Sequence, residues 1–85
     1  MKILIYADIT QYTSGEKSFE TEGARTMREL IDILGEHFGA QFRDFLLADN
    51  TCIILVNGKG IMLSGLDTGL HSGDKIEILP IIGGG

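Results

Sequence analysis

One short stretch limits the fold more than any other. Thr26-Met27-Arg28-Glu29 has capping-box spacing, in which the Thr26 hydroxyl accepts from an early helix amide and the Glu29 carboxylate reaches back to the Thr26 amide. Met27, Leu30, Ile31, Leu34 and Phe38 then recur at intervals of three and four, which puts them on one face of a helix over 27–38. Gly39 suits a positive-φ position just past its end. A helix with one apolar stripe needs a surface to bury it against, and the flanking segments read as strands. KILIYA (2–7) is rich in β-formers, with Ile3, Ile5 and Ala7 on one face and Leu4 and Tyr6 on the other. After the polar stretch TQYTSGEK (10–17), KSFETE alternates weakly and predicts a second strand antiparallel to the first. AQFRDFLLADN (40–50) keeps Phe42, Phe45, Leu46 and Leu47 apolar and reads as an irregular or helical lid on the core.

The second half continues in strands. CIILV runs into Asn57-Gly58, the clearest turn signal in the chain, so a strand ends near Asn57. IMLSG reads as a brief edge strand, LDTGLHSGD as a turn-rich connection, and KIEILP alternates Ile76 and Ile78 against Lys75, Glu77 and Leu79. The resulting order predicts an α+β domain in which one helix covers one face of a mixed sheet and the other face stays partly open. The chain between the first and last strands is long enough for a parallel crossover, a pairing that periodicity leaves open.

Composition removes several functions. The longest apolar run, CIILV, is too short to span a bilayer, and MKILIYADIT lacks a small-residue cleavage site, so no secretory signal is predicted and the expected address is cytoplasmic, without membrane partners. Net charge is −5 and the seven Lys and Arg are scattered, which argues against nucleic acid and favours basic protein partners. Cys52 stands alone and reads as a buried structural thiol. His37 and His71 read as surface residues with no nucleophile or metal set beside them. GKGIMLSG lacks phosphate-loop spacing, and the acidic residues lack that of a calcium loop.

The remaining feature is the ending, PIIGGG. Three glycines add nothing to a core, yet five residues from Ile81 to Gly85 reach on the order of 17 Å. A backbone without Cβ atoms passes through a cleft that side chains would block, which lets a terminal carboxylate enter another protein. Leu4, Tyr6 and Leu79 alternate opposite to the core isoleucines, and Leu55 joins them in an outward apolar patch suited to docking.

MKILIYA, the capped helix, ILVNG, GLDTGLHSGDKIEILP and the closing glycines resemble the MoaD/ThiS family of ubiquitin-like sulfur carriers over nearly the whole chain. The most specific portion is the strand ending in Val56-Asn57-Gly58, followed by Leu70-x-x-Gly73-Asp74 and the strand that delivers the tail. Within the family, length favours the small subunit of molybdopterin synthase over the shorter thiamine carrier. The resemblance implies a β-grasp domain over 1–80 and a flexible tail over 81–85. It further implies that the Gly85 carboxylate is adenylated with ATP by a ubiquitin-activating-like enzyme and converted to a thiocarboxylate with sulfur from a donor protein. That group then sulfurates a pterin precursor inside the large synthase subunit. Gly83 and Gly84 would thread the partner's channel, and Leu4, Tyr6, Leu55, Leu79, Pro80, Ile81 and Ile82 would form the partner surface. The carrier needs no bound cofactor, no metal and no catalytic side chain of its own. One departure is the tail: the small subunit usually has a second proline, an apolar pair and two glycines, whereas here Ile81-Ile82 follow Pro80 directly and Gly83 precedes the Gly-Gly pair. This keeps open a carrier for thiamine or tRNA thiolation, or a ubiquitin-like protein modifier.

Overall fold

The computed structural model describes residues 1–48, 51–61 and 65–81. Strands β1 (Lys2–Ile5) and β2 (Ser18–Glu20) precede helices α1 (Met27–Phe38) and α2 (Ala40–Leu47). Strands β3 (Cys52–Val56), β4 (Lys59–Gly60) and β5 (Lys75–Pro80) complete the sheet. The sheet order is β2-β1-β5-β3-β4. β1 and β5 are central and parallel, with Ile3 beside Ile76 and Ile5 beside Ile78, while β2, β3 and β4 join antiparallel to their neighbours. This is the ubiquitin-like β-grasp, and the parallel pairing of first and last strands is the one that alternation left open.

Those four isoleucines point inward and are at most 2% exposed, and they share one core with Met27, Leu30, Ile31 and Leu34 of α1. Fully burying each such side chain contributes roughly 1.5–3 kcal/mol, so the stripe and the alternating strands stabilise one another. Phe42 and Leu46 of α2 close the end of this core, which makes the 40–50 segment a helical lid; Asp49 and Asn50 lie outside the described residues.

The helix start follows half of its expected pattern. The Thr26 hydroxyl accepts from the Glu29 amide at 3.2 Å, but the Glu29 carboxylate accepts from the Arg25 amide at 2.7 Å rather than from Thr26. Residues 25–27 are held against 68–70 by Leu70 N–H to Arg25 O and Met27 N–H to Thr68 O, and this pairing sets the orientation of the preceding amides. At the other end Gly39 has φ 119°, ends α1 and starts α2. Asn57 and Gly58 both have positive φ, the requirement of a type I′ turn, and β4 follows at once at Lys59–Gly60. The edge strand therefore begins earlier than IMLSG: β4 covers Lys59–Gly60, the Ile61 amide still donates to Ile54 O at 3.1 Å, and 62–64 lie outside the described residues.

The first strand is shorter than expected. It ends at Ile5, and Ala7–Thr13 form a 3-10 helix entered through Ala7 at φ 57°. Ala7 thus leaves the strand face on which alternation placed it. No apolar period marks this segment in the sequence; tertiary packing holds it, with Ile9 buried and Tyr12 stacked on Phe45 at 4.6 Å.

Candidate docking face and tail exit

The sheet face opposite α1 is built by register. On β1 the residue between the buried isoleucines is Leu4, which lies beside Glu77 of β5; on β3, Leu55 lies on the other side of the same Glu77. Two pairs further along, on the same face, Ile53 lies opposite Leu79. Leu4, Leu55 and Leu79 are half-buried by their neighbours on the sheet, whereas Ile53 is 44% exposed. Cys52, Ile54 and Val56 turn the opposite way and pack against the core. The patch read from Leu4, Tyr6, Leu55 and Leu79 is thus one surface, and it includes Ile53. CIILV is apolar throughout, so alternation alone could not choose its outward face, although Leu55 and Ile53 are two apart and necessarily share one.

Tyr6 ends the first strand's track and is 37% exposed. Its amide donates to Ile78 O at 3.1 Å and its hydroxyl donates to Glu77 Oε2 at 2.8 Å. That hydrogen bond, with some burial and the carboxylate's charge, pushes the phenol above its ordinary value and keeps the proton on Tyr6. Lys75 Nζ lies 3.8 Å from Glu77 Oε1, and the Glu77 side chain is only 17% exposed. Sequence reasoning placed Glu77 on the outward track but assigned it no role; its position amid the apolar residues required the strand register.

The tail leaves from the centre of the sheet. Pro80, the last residue of β5, lies opposite Cys52 and is half-buried on the inward track, so it does not join the outer patch. Ile81 follows and is 41% exposed. Both line a concavity of about 200 Å³ with Tyr12, Phe45, Thr51, Ile9, Asp8 and Gln11. Ile82, Gly83, Gly84 and Gly85 lie outside the described residues.

Cys52 is half-buried, and burial pushes its thiol up, which disfavours the nucleophilic thiolate. His37 is exposed and packs on Phe19 and Phe38, while His71 is exposed in the connection before β5. Among the described residues no group of acidic, His or Cys side chains is arranged to hold a metal, and no helix is long and apolar enough to cross a membrane.

With the face and the exit established, comparison with known proteins decides the family, since residues 3–85 match ThiS. The chain belongs to the ThiS family. This ThiS-family chain is 30% identical over 90 residues to an Archaeoglobus fulgidus protein described as a sulfur carrier, with 100% of the chain and 98% of the relative covered. A chain of the Amycolatopsis orientalis BexX/CysO complex superposes with TM-score 0.75 and 30% identity, covering 99% of this chain and 98% of that one. A chain from the complex of subunits 1 and 2 of the Helicobacter pylori molybdopterin-converting factor gives TM-score 0.67 and 28% identity, with 99% and 96% covered. Two of these relatives are thus seen in complexes with other proteins.

Proposed function

We propose that this ThiS-family chain is a sulfur carrier that reacts through the carboxylate of Gly85 and donates sulfur in molybdopterin synthesis. The observation that carries the proposal is the course of β5. Ile76 and Ile78 fix this strand in the core, and the same strand ends at Pro80-Ile81 beside an exposed apolar face. A rigid sheet therefore carries the chain to Ile81 beside that face, an arrangement suited to presenting the residues that follow to another protein's active site.

The chemistry explains why the chain needs no catalytic side chain. A carboxylate is a poor electrophile until one of its oxygens belongs to a good leaving group. In the proposed sequence a Gly85 carboxylate oxygen attacks the α-phosphorus of ATP, pyrophosphate leaves and an acyl adenylate forms. Sulfide (HS⁻) released by a donor protein then attacks the acyl carbon, the bond to AMP breaks, AMP leaves and a thiocarboxylate remains. The activating enzyme supplies ATP and the groups that stabilise each step, while Gly83 and Gly84 fit a channel without room for side chains. The large subunit of molybdopterin synthase then receives Ile81, Ile82 and the glycines, and all of these partners are cytoplasmic. Likeness to the Helicobacter pylori molybdopterin-converting factor supports the acceptor.

A second reading rests on the tail. The single Pro80 and the additional Gly83, with a likeness to a chain of the BexX/CysO complex that is greater in TM-score (0.75 against 0.67) than that to the molybdopterin-converting factor, favour a carrier for another thiolation pathway or a protein modifier using the same activated terminus. Both readings require a free carboxylate at Gly85. Adding one residue after Gly85 is expected to abolish ATP–pyrophosphate exchange by the activating enzyme while leaving the melting temperature unchanged. Equal exchange by the extended chain contradicts activation at this position.

A further inference from the structure

The outer face is not uniformly apolar. Its central position belongs to Glu77, flanked by Leu4 and Leu55 in register and followed on its own track by Leu79. The Glu77 side chain is 17% exposed, and its carboxylate takes one short hydrogen bond, from the Tyr6 hydroxyl at 2.8 Å. Its other oxygen, Oε1, has Lys75 Nζ at 3.8 Å, too far for a hydrogen bond, and the Lys75 side chain is 55% exposed. A solvated ion pair of this kind contributes little and separates easily.

When a protein covers this face, Glu77 loses the water that now satisfies its free lone pairs. A carboxylate enclosed by apolar side chains without a new donor carries a penalty larger than the gain from the surrounding leucines. A partner surface that is apolar throughout therefore does not fit. A cationic side chain set within an apolar rim does, and a guanidinium fits better than an ammonium because its planar fork donates to both oxygens of one carboxylate. The overall charge of −5 favours the same sign of partner.

We propose that Glu77, held in place by Tyr6, is the specificity-determining anchor of this face and receives an arginine from the activating enzyme. Lys75 gives way to that arginine on docking. The inference rests on the sulfur-carrier reading and specifies the partner's chemistry.

The test uses the full chain and the adenylating enzyme of its own organism, with ATP–pyrophosphate exchange as the readout. Glu77→Gln preserves size but removes the charge. The proposal predicts a KM for the carrier raised about tenfold or more with kcat little changed, because the group acts in docking and not at the reacting atoms. It also predicts that added salt raises the wild-type KM more than that of Glu77→Gln. Glu77→Leu should be at least as impaired as Glu77→Gln, and Tyr6→Phe should show a smaller rise. Melting curves of the variants alone should match the parent, which separates docking from folding. A wild-type KM in Glu77→Gln, or tighter binding by Glu77→Leu, overturns the anchor while leaving the carrier reading intact. Absence of exchange with the wild-type chain overturns the carrier reading, and the anchor falls with it.

Discussion

At the scale of single residues, Asp74 has more bonded partners than any group on the outer patch. One of its carboxylate oxygens accepts from Asn57 Nδ2 at 2.9 Å and the other from the His71 amide at 2.8 Å. Asn57 in turn accepts from the Lys75 amide at 2.9 Å through Oδ1, so the turn after β3 is tied to the start of β5. The Asn57 hydrogen bond first, and then the His71 amide, hold the Asp74 carboxyl below the ordinary aspartate value. Because the folded pKa is depressed, its stabilisation is fully present above the unfolded value of about 3.9 and is lost as pH falls through the folded one. Asp74→Asn resembles the protonated acid, since one of the two acceptors becomes a donor facing a donor. It should lower the melting temperature at pH 7, and the gap from the parent should narrow as pH falls below about 4. Melting curves across that range check this; a gap that stays constant contradicts it.

Among the elements, α1 and α2 approach each other closely. A Cβ at Gly35 would lie 2.8 Å from Arg43 Cβ, an atom close to the α2 backbone that has little room to give. Arg43 Nε also pairs with Asp32 at 3.0 Å, so the two helices meet through a glycine notch with an ion pair beside it. Gly35→Ala gains helix propensity of roughly 1 kcal/mol but forces the helices apart, at a cost of about 1–3 kcal/mol. Net destabilisation is expected in a denaturant titration, with carrier exchange kinetics near the parent because the notch lies away from the outer face. A more stable variant contradicts the close packing. The elements differ in how visible they are before folding. α1 is fully marked by its stripe and by Gly39, and β5 by strict alternation. The 3-10 helix of 7–13 carries no period, because its position depends on Ile9 entering the core, on Tyr12 stacking on Phe45 of α2 and on a left-handed Ala7 that no local signal announces. The Glu29 contact with Arg25 was hidden for a similar reason: residues 68–70, distant in sequence, set that amide's direction.

At the scale of the whole molecule, sheet order decides what the surface is. Leu4, Leu55, Leu79 and Ile53 come from three strands, and only the order β1-β5-β3 with its observed register makes them adjacent. Alternation in β1 and β5 revealed which residues face outward, and resemblance to the sulfur carriers implied how the strands pair. The place of Glu77 at the patch centre depended on register, a long-range property that no short window of sequence contains. The same architecture puts the core on one side of β5, the exposed apolar face on the other and Pro80-Ile81 at its end. In the proposed function this tail carries sulfur at Gly85. Intact mass of the chain after incubation with its activating enzyme, ATP and a sulfide donor tests it most directly. Replacement of one terminal oxygen by sulfur predicts a gain of about 16 Da, confined to the C-terminal peptide on digestion; unchanged mass with an enzyme that performs ATP–pyrophosphate exchange on this chain would contradict it.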